Sequence, residues 1–339
     1  MVSLQAIRES NARIPTSLPS GLVAVFVGAT SGIGEAALRS VAQRAPRPRI
    51  YFIGRREAEG KHVQDELRKL NPDGEYHYLK YDVTLLRNVD EACRYIKDRE
   101  QTINLLFLTC GTLISGRQTE EGLNYPTALV YYSRMRFIVN LLPQLRQASS
   151  LRRAITVAAG GKEGQIYPND FQANNLNALS FRGHMTSMIT LALENLAKQA
   201  PEVSFIHSYP GFVKTNLSRE LTSIWATIAK IIFAPIMALL HIPIEETGER
   251  QAYFATSARF PPRSEQRDAD GVPLGEDVDI AVGADGKTGG GVYSIDYEAE
   301  GTSERVQQVI KSYTDDGMAE KVWKHTEDEY MRVTGSLAN

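Results

Sequence analysis

At 339 residues the chain is longer than an average domain yet within reach of a single large α/β unit, and its 42% hydrophobic and 23% charged residues describe an ordinary soluble globular protein. A formal net charge of -2 removes any electrostatic reason to expect a nucleic-acid partner. The two cysteines, Cys93 and Cys110, have neither metal-ligand spacing nor the makings of a disulfide framework, so the expectation is no metal site and a reducing, cytoplasmic setting. Residues 1–20 are polar, carry Pro15 and Pro19 and lack the apolar core of a signal peptide, and are expected to form a surface arm.

From Leu22 to Val27 runs a continuous apolar, β-branched stretch, as a strand covered on both faces in a parallel sheet requires. Gly28-Ala-Thr30-Ser31-Gly32-Ile33-Gly34 follows and opens into a helical pattern. Strand, glycine turn and helix in that order predict a dinucleotide cradle: the first glycine permits the turn, and the later ones admit a pyrophosphate to the N–H groups at the helix start. Arg49 to Ile53 reads as the second strand, ending in Gly54-Arg55-Arg56; basic side chains there suit the 2′-phosphate of NADP, where an acid would suit NAD. Glu57 to Leu70 reads as a helix closed by the turn Asn71-Pro-Asp-Gly74, and Glu75 to Tyr81 as the third strand. Asp82-Val83 stands where an adenine would be met, although Asp82 is equally suited to capping at Thr84.

The same alternation continues along the chain. Leu85 to Glu100 is helical, Ile103 to Thr109 a fourth strand, and Tyr125 to Leu145 a long helix interrupted near its end by Leu-Leu-Pro143. Arg153 to Ala159, Val203 to His207 and Gly291 to Asp296 read as strands five to seven, with a helix over Met185 to Gln199. Between Leu217 and Ile244 lies the most apolar stretch, too broken by Lys230 and Pro235 to span a membrane. Glu245 to Ser257 is a further helix, residues 260–287 a Pro/Gly/Asp/Arg-rich loop, and Glu304 to Ser312 and Met318 to Arg332 two final amphipathic helices, packed on the body or on a second subunit. The rhythm predicts a doubly wound, seven-stranded parallel α/β sheet of Rossmann type. Residues 1–20 are its arm and 21–258 its body, including the lid at 217–244; residues 259–339 complete the same domain.

These residues resemble the short-chain dehydrogenase/reductase superfamily over about Leu22 to Ala258. The resemblance is carried by Gly28-Ala-Thr-Ser-Gly-Ile-Gly34, Asp82-Val83, Thr109-Cys-Gly111 in place of the family's Asn-Ala-Gly, and Pro210-Gly211-Phe-Val213-Lys-Thr215 after the sixth strand. It implies an NADP(H) cofactor, with Gly111 among the residues that bind it and Pro210, Gly211, Val213 and Thr215 wrapping its nicotinamide end. Tyr131-Tyr-Ser-Arg-Met-Arg-Phe137 and Pro210-Gly211 are also similar to reductases of fungal secondary metabolism. The resemblance places a substrate lid at 217–244, where Trp225, Ile228, Phe233 and Met237 would select a bulky apolar small molecule; membrane-surface or dimer contact is the other reading of that stretch.

The family's proton-relay set is missing. Val130 stands where the family has an Asn, Ala158-Ala159 where it has Ser-Ser, and no Tyr or Lys occurs between Asn169 and Ala197, where its catalytic pair belongs. The replacements nominated by position are Arg134, four residues after Val130 on the same helix face, Asp170 on the opposite wall, and His184 in the segment of the missing pair. Each also has an ordinary reading, as a helix charge, a turn cap and a structural histidine respectively. The expected function is an NADPH-dependent reduction of a carbonyl or iminium carbon in a bulky apolar metabolite. The alternatives are a non-redox isomerase or cyclase on the same scaffold, or a catalytically silent binding protein.

Overall fold

In the computed structural model, residues 1–215, 241–264 and 271–338 are described. The lid stretch from Leu217, with Trp225, Ile228, Phe233 and Met237, lies outside them up to residue 240. The core is one seven-stranded sheet in the order β3-β2-β1-β4-β5-β6-β9, parallel throughout. Its strands are β1 (Val23–Val27), β2 (Arg49–Gly54), β3 (Glu75–Lys80), β4 (Leu105–Leu108), β5 (Arg153–Val157), β6 (Ser204–Ser208) and β9 (Val292–Ile295). A two-residue pair, β7 (Phe212–Val213) with β8 (His241–Ile242), stands apart from it. The seven-stranded parallel sheet read from the sequence is therefore present.

Strand β1 is buried along its whole length because both faces are covered, and alternation sends its side chains into two cores. Val23, Val25 and Val27 join the core beneath α5 (Leu86–Lys97), α7 (Ser133–Gln147) and α8 (Ala178–Gln199). Ala24 and Phe26 join the opposite core, beneath α3 (Gly32–Arg44), α4 (Glu57–Leu70) and α9 (Ile244–Thr256). Phe26 meets Phe107 of β4 there, with ring centroids 5.2 Å apart. Strand order reverses between β1 and β4, which opens the crevice in which such sheets bind ligands.

Three expectations change. The N-terminal arm is a docked element: α1 (Leu4–Ala12) and the short α2 (Ile14–Ser17) bury Val2, Ile7, Ile14 and Leu18 in the second core. Asn11 Nδ2 donates to Glu249 O at 2.9 Å and to Glu249 Oε2 at 2.6 Å, fastening α1 to α9. The long helix is not broken at Pro143, since α7 runs through it to Gln147; one backbone donor is lost, but packing holds the helix. Its start departs from regular α geometry instead: after α6 (Tyr125–Thr127) comes a π-helical turn, Ala128–Tyr132.

The last two helices, α10 (Glu304–Asp315) and α11 (Met318–Thr334), pack on the body. Val306, Ile310, Val322 and Tyr330 enter the same core as α5, α7 and α8. Tyr131 Oη and Thr326 Oγ1 are 2.7 Å apart, and Tyr330 Oη donates to Tyr132 O at 2.9 Å. Among the described residues no helix is long and apolar enough to cross a membrane.

Candidate functional site

The glycine turn, the β2 end and the β4 end enclose one groove of about 220 Å³ at the strand-order reversal. Its floor is the turn itself. Gly28 has φ +80°, and a Cβ there would stand 2.7 Å from Cys110 N. A Cβ on Gly34 would overlap Thr109 Oγ1 and the carbonyl oxygen of Gly28. The turn thus admits no side chain at either position, because β4 lies directly behind it. Thr109 Oγ1 donates to Val27 O at 2.9 Å and to Gly28 O at 3.0 Å, locking the two strand ends together.

Thr30, Ser31, Gly32 and Ile33 complete the turn and line the same groove. The Ser31 side chain makes no capping bond to α3, so the helix start is presented without the usual hydroxyl cap. Arg55 and Arg56 line the far end. Arg55 Nη1 donates to Tyr125 Oη at 3.3 Å, and Arg56 Nη1 donates to Glu59 Oε1 at 2.5 Å, both at exposed positions. Val83, Gly111 and Thr215 also border the groove. Four nominated positions are not among its lining residues. Asp82 takes the capping role: its Oδ1 accepts from Thr84 N at 3.0 Å and from Thr84 Oγ1 at 2.8 Å. Pro210, Gly211 and Val213 lie on the segment leading to Thr215. Gly211 there has φ +77°, and Val213 pairs with Ile242.

The three nominated catalytic side chains do not converge. Asp170 is turned onto its own loop, where its carboxylate accepts from Asn174 N and Asn175 N, each at 2.9 Å. The wall opposite Arg134 is therefore not its place; a short polar side chain after Pro168-Asn169 caps the turn instead. His184 is fully buried, with Nδ1 accepting from Tyr167 N at 3.1 Å and Nε2 3.2 Å from Phe171 O. That pairing makes Nε2–H the donor to the carbonyl and leaves the ring neutral. Burial pushes its pKa below the ordinary histidine value. Its contacts tie α8 to the Tyr167–Phe171 loop, away from the groove.

Arg134 is buried as well, and all three of its side-chain nitrogens donate. Nε donates to Cys110 O at 3.2 Å and Leu129 O at 3.3 Å, Nη1 to Thr156 Oγ1 at 2.6 Å and Val157 O at 2.8 Å, and Nη2 to Cys110 O at 2.5 Å. All these acceptors are neutral. The side chain clamps the ends of β4 and β5 together from beneath the groove, and desolvation pulls its pKa down. Neighbouring His207, at the end of β6, is held down to about 3 by burial and by the Arg134 charge.

The sequence reading passed over two features. The π-turn lowers Leu129 into the groove and aims its carbonyl at Arg134, a placement no helical periodicity encodes. Glu59, three residues after Arg56, also lines the groove and pairs with that arginine. Its i,i+3 spacing was the available signal.

Comparison with known proteins follows the same geometry. The sequence profile of the family described as short chain dehydrogenase matches residues 22–129. Over 99% of both chains the sequence is 37% identical to oxidoreductase andH of Emericella variicolor. It is 40% identical to oxidoreductase AN1596 of Emericella nidulans, over 96% of this chain and 97% of that one. The fold is shared with a 3-oxoacyl (acyl-carrier-protein) reductase of Agrobacterium tumefaciens, solved with NADP bound. The TM-score is 0.56 at 13% identity, covering 80% of this chain and 98% of that one.

Proposed function

The chain belongs to the short-chain dehydrogenase/reductase superfamily, and on that premise we propose that it binds NADPH and delivers hydride to a carbonyl or iminium carbon of a bulky apolar metabolite without the family's Tyr–Lys acid. The observation that carries this reading is the groove: a side-chain-free glycine turn, an uncapped helix start and two arginines at the β2 end are gathered into one cleft. These groups fit a dinucleotide phosphate. Backbone N–H groups at the start of α3 would hold the pyrophosphate, and Arg55 and Arg56 the 2′-phosphate. The two Emericella relatives are named as oxidoreductases, which agrees with this.

The bound nicotinamide supplies the hydride; the protein's share is orientation and electrostatics. Helix α8 bears no tyrosine, and no lysine before Lys198. Among the described residues that helix therefore offers no proton donor of the family type, and an iminium, which is reduced without protonation, fits that deficit best. The apolar 217–244 stretch supports a large, greasy substrate.

Hydride transfer is tested by following NADPH oxidation against panels of bulky cyclic iminium ions and ketones. Turnover of an iminium with NADPH is expected, and cofactor-independent conversion of the same compounds would sink the reading. Arg55→Ala with Arg56→Ala should weaken NADPH about tenfold or more relative to NADH, since charged hydrogen bonds to a phosphate are lost only for NADPH. Equal loss for both nucleotides in a binding titration would remove the arginines from the phosphate site.

A further inference from the structure

Arg134 carries a charge that its surroundings do not neutralise. It is 2% exposed, and every hydrogen bond it makes goes to a carbonyl or a hydroxyl. Among the described residues no carboxylate lies within ion-pair distance of it, whereas buried Arg136, two residues on, has Asp90 at 2.7 Å. A buried cation without a counter-ion is costly to keep, and its field is weakly screened.

The position of that charge matters. In sheets of this topology a dinucleotide lies across the strand-order reversal, with one nucleotide on each half. Arg55 and Arg56 mark the β1–β2 half as the side of the 2′-phosphate. The nicotinamide then belongs to the β4–β5–β6 half. Arg134 grips the carbonyl of Val157, the last residue of β5, and that of Cys110, just past the end of β4, and Cys110 lines the groove.

We propose that Arg134 sets the redox-state preference of the site, favouring the neutral dihydronicotinamide of NADPH over the pyridinium cation of NADP⁺. The inference rests on the proposed NADPH function. A reductase gains from such a bias, because the oxidised product is repelled as it forms and the enzyme reloads with reduced cofactor. A unit charge within about 10 Å of the ring, at an effective dielectric near 20, would shift relative affinity by about tenfold or more.

Calorimetric titration of the whole chain with NADPH and with NADP⁺ reads this directly. The wild type is expected to bind NADPH at least about tenfold more tightly, R134K to retain that ratio through its charge, and R134M to bring the ratio close to one. Should R134M not fold, R134Q, with an amide donor for the same carbonyls, carries the comparison. Equal wild-type affinities, or a neutral variant that keeps the wild-type ratio, would overturn the inference and leave the cofactor assignment standing. Absence of binding by either nucleotide to the wild type would remove the NADPH reading itself.

Discussion

Asp90→Ala is expected to cost about 3–5 kcal/mol of unfolding free energy. Arg136 presents Nε to Oδ1 at 2.7 Å and Nη2 to Oδ2 at 2.8 Å, a bidentate pair, and Asn140 Nδ2 adds a third bond to Oδ1 at 2.8 Å. The Arg136 side chain is fully buried, so removing the carboxylate strands a cation inside the protein. The same guanidinium donates to Ser336 O at 2.9 Å and lies 5.0 Å from the Tyr330 ring centroid, so the loss spreads to the C-terminal helix. Urea denaturation, with midpoint and slope fitted together, measures it; a loss below about 1 kcal/mol would show that the pair is not electrostatically essential.

Gly34→Val should abolish cofactor binding, with a loss of at least about 100-fold in NADPH affinity. Its side chain would occupy the space of Thr109 Oγ1 and the Gly28 carbonyl, which already hold β4 against the turn at 3.0 Å. Relief requires α3 to move off the strand, and the helix-start N–H groups move with it, which would forfeit the pyrophosphate contacts. Binding titration together with a thermal melt separates the two consequences. A variant that still melts cooperatively, at a lowered temperature, but no longer binds is the expected result. Wild-type affinity would mean that the turn is not the phosphate cradle.

The fold was legible because its signals are local. Strands such as Val23–Val27 are buried on both faces and must be continuously apolar, and the glycine turn leaves a spacing that few other structures need. The docking of the N-terminal segment was not legible: its polar residues, Pro15 and Pro19 suggested a surface arm, whereas Ile7, Ile14 and Leu18 are buried in the second core. Pro143 read as a break because sequence shows the missing donor and not the packing that compensates for it.

The site was harder to read. Position on a helix nominated Arg134 for the face that would look toward the active site, yet its guanidinium is held by backbone carbonyls and the Thr156 hydroxyl, contacts that carry no sequence signature. The π-turn that brings Leu129 into contact arises from tertiary packing over Ala128–Tyr132. Asp170 and His184 serve as turn cap and buried hydrogen-bond bridge, roles that sequence offers as readily as catalysis, and only three-dimensional contacts separate the two. The lid residues Trp225, Ile228, Phe233 and Met237 fall outside the described chain, so the substrate class rests on their composition.

The proposed NADPH cradle is the glycine turn with the arginine pair, on a chain whose α8 carries no tyrosine and no lysine before Lys198. Titration calorimetry of the purified protein with NADPH and, separately, NADH tests it most directly. Tight one-to-one binding selective for NADPH is the predicted result; failure to bind either nucleotide would contradict the account and turn attention to cofactor-free chemistry in the same cleft.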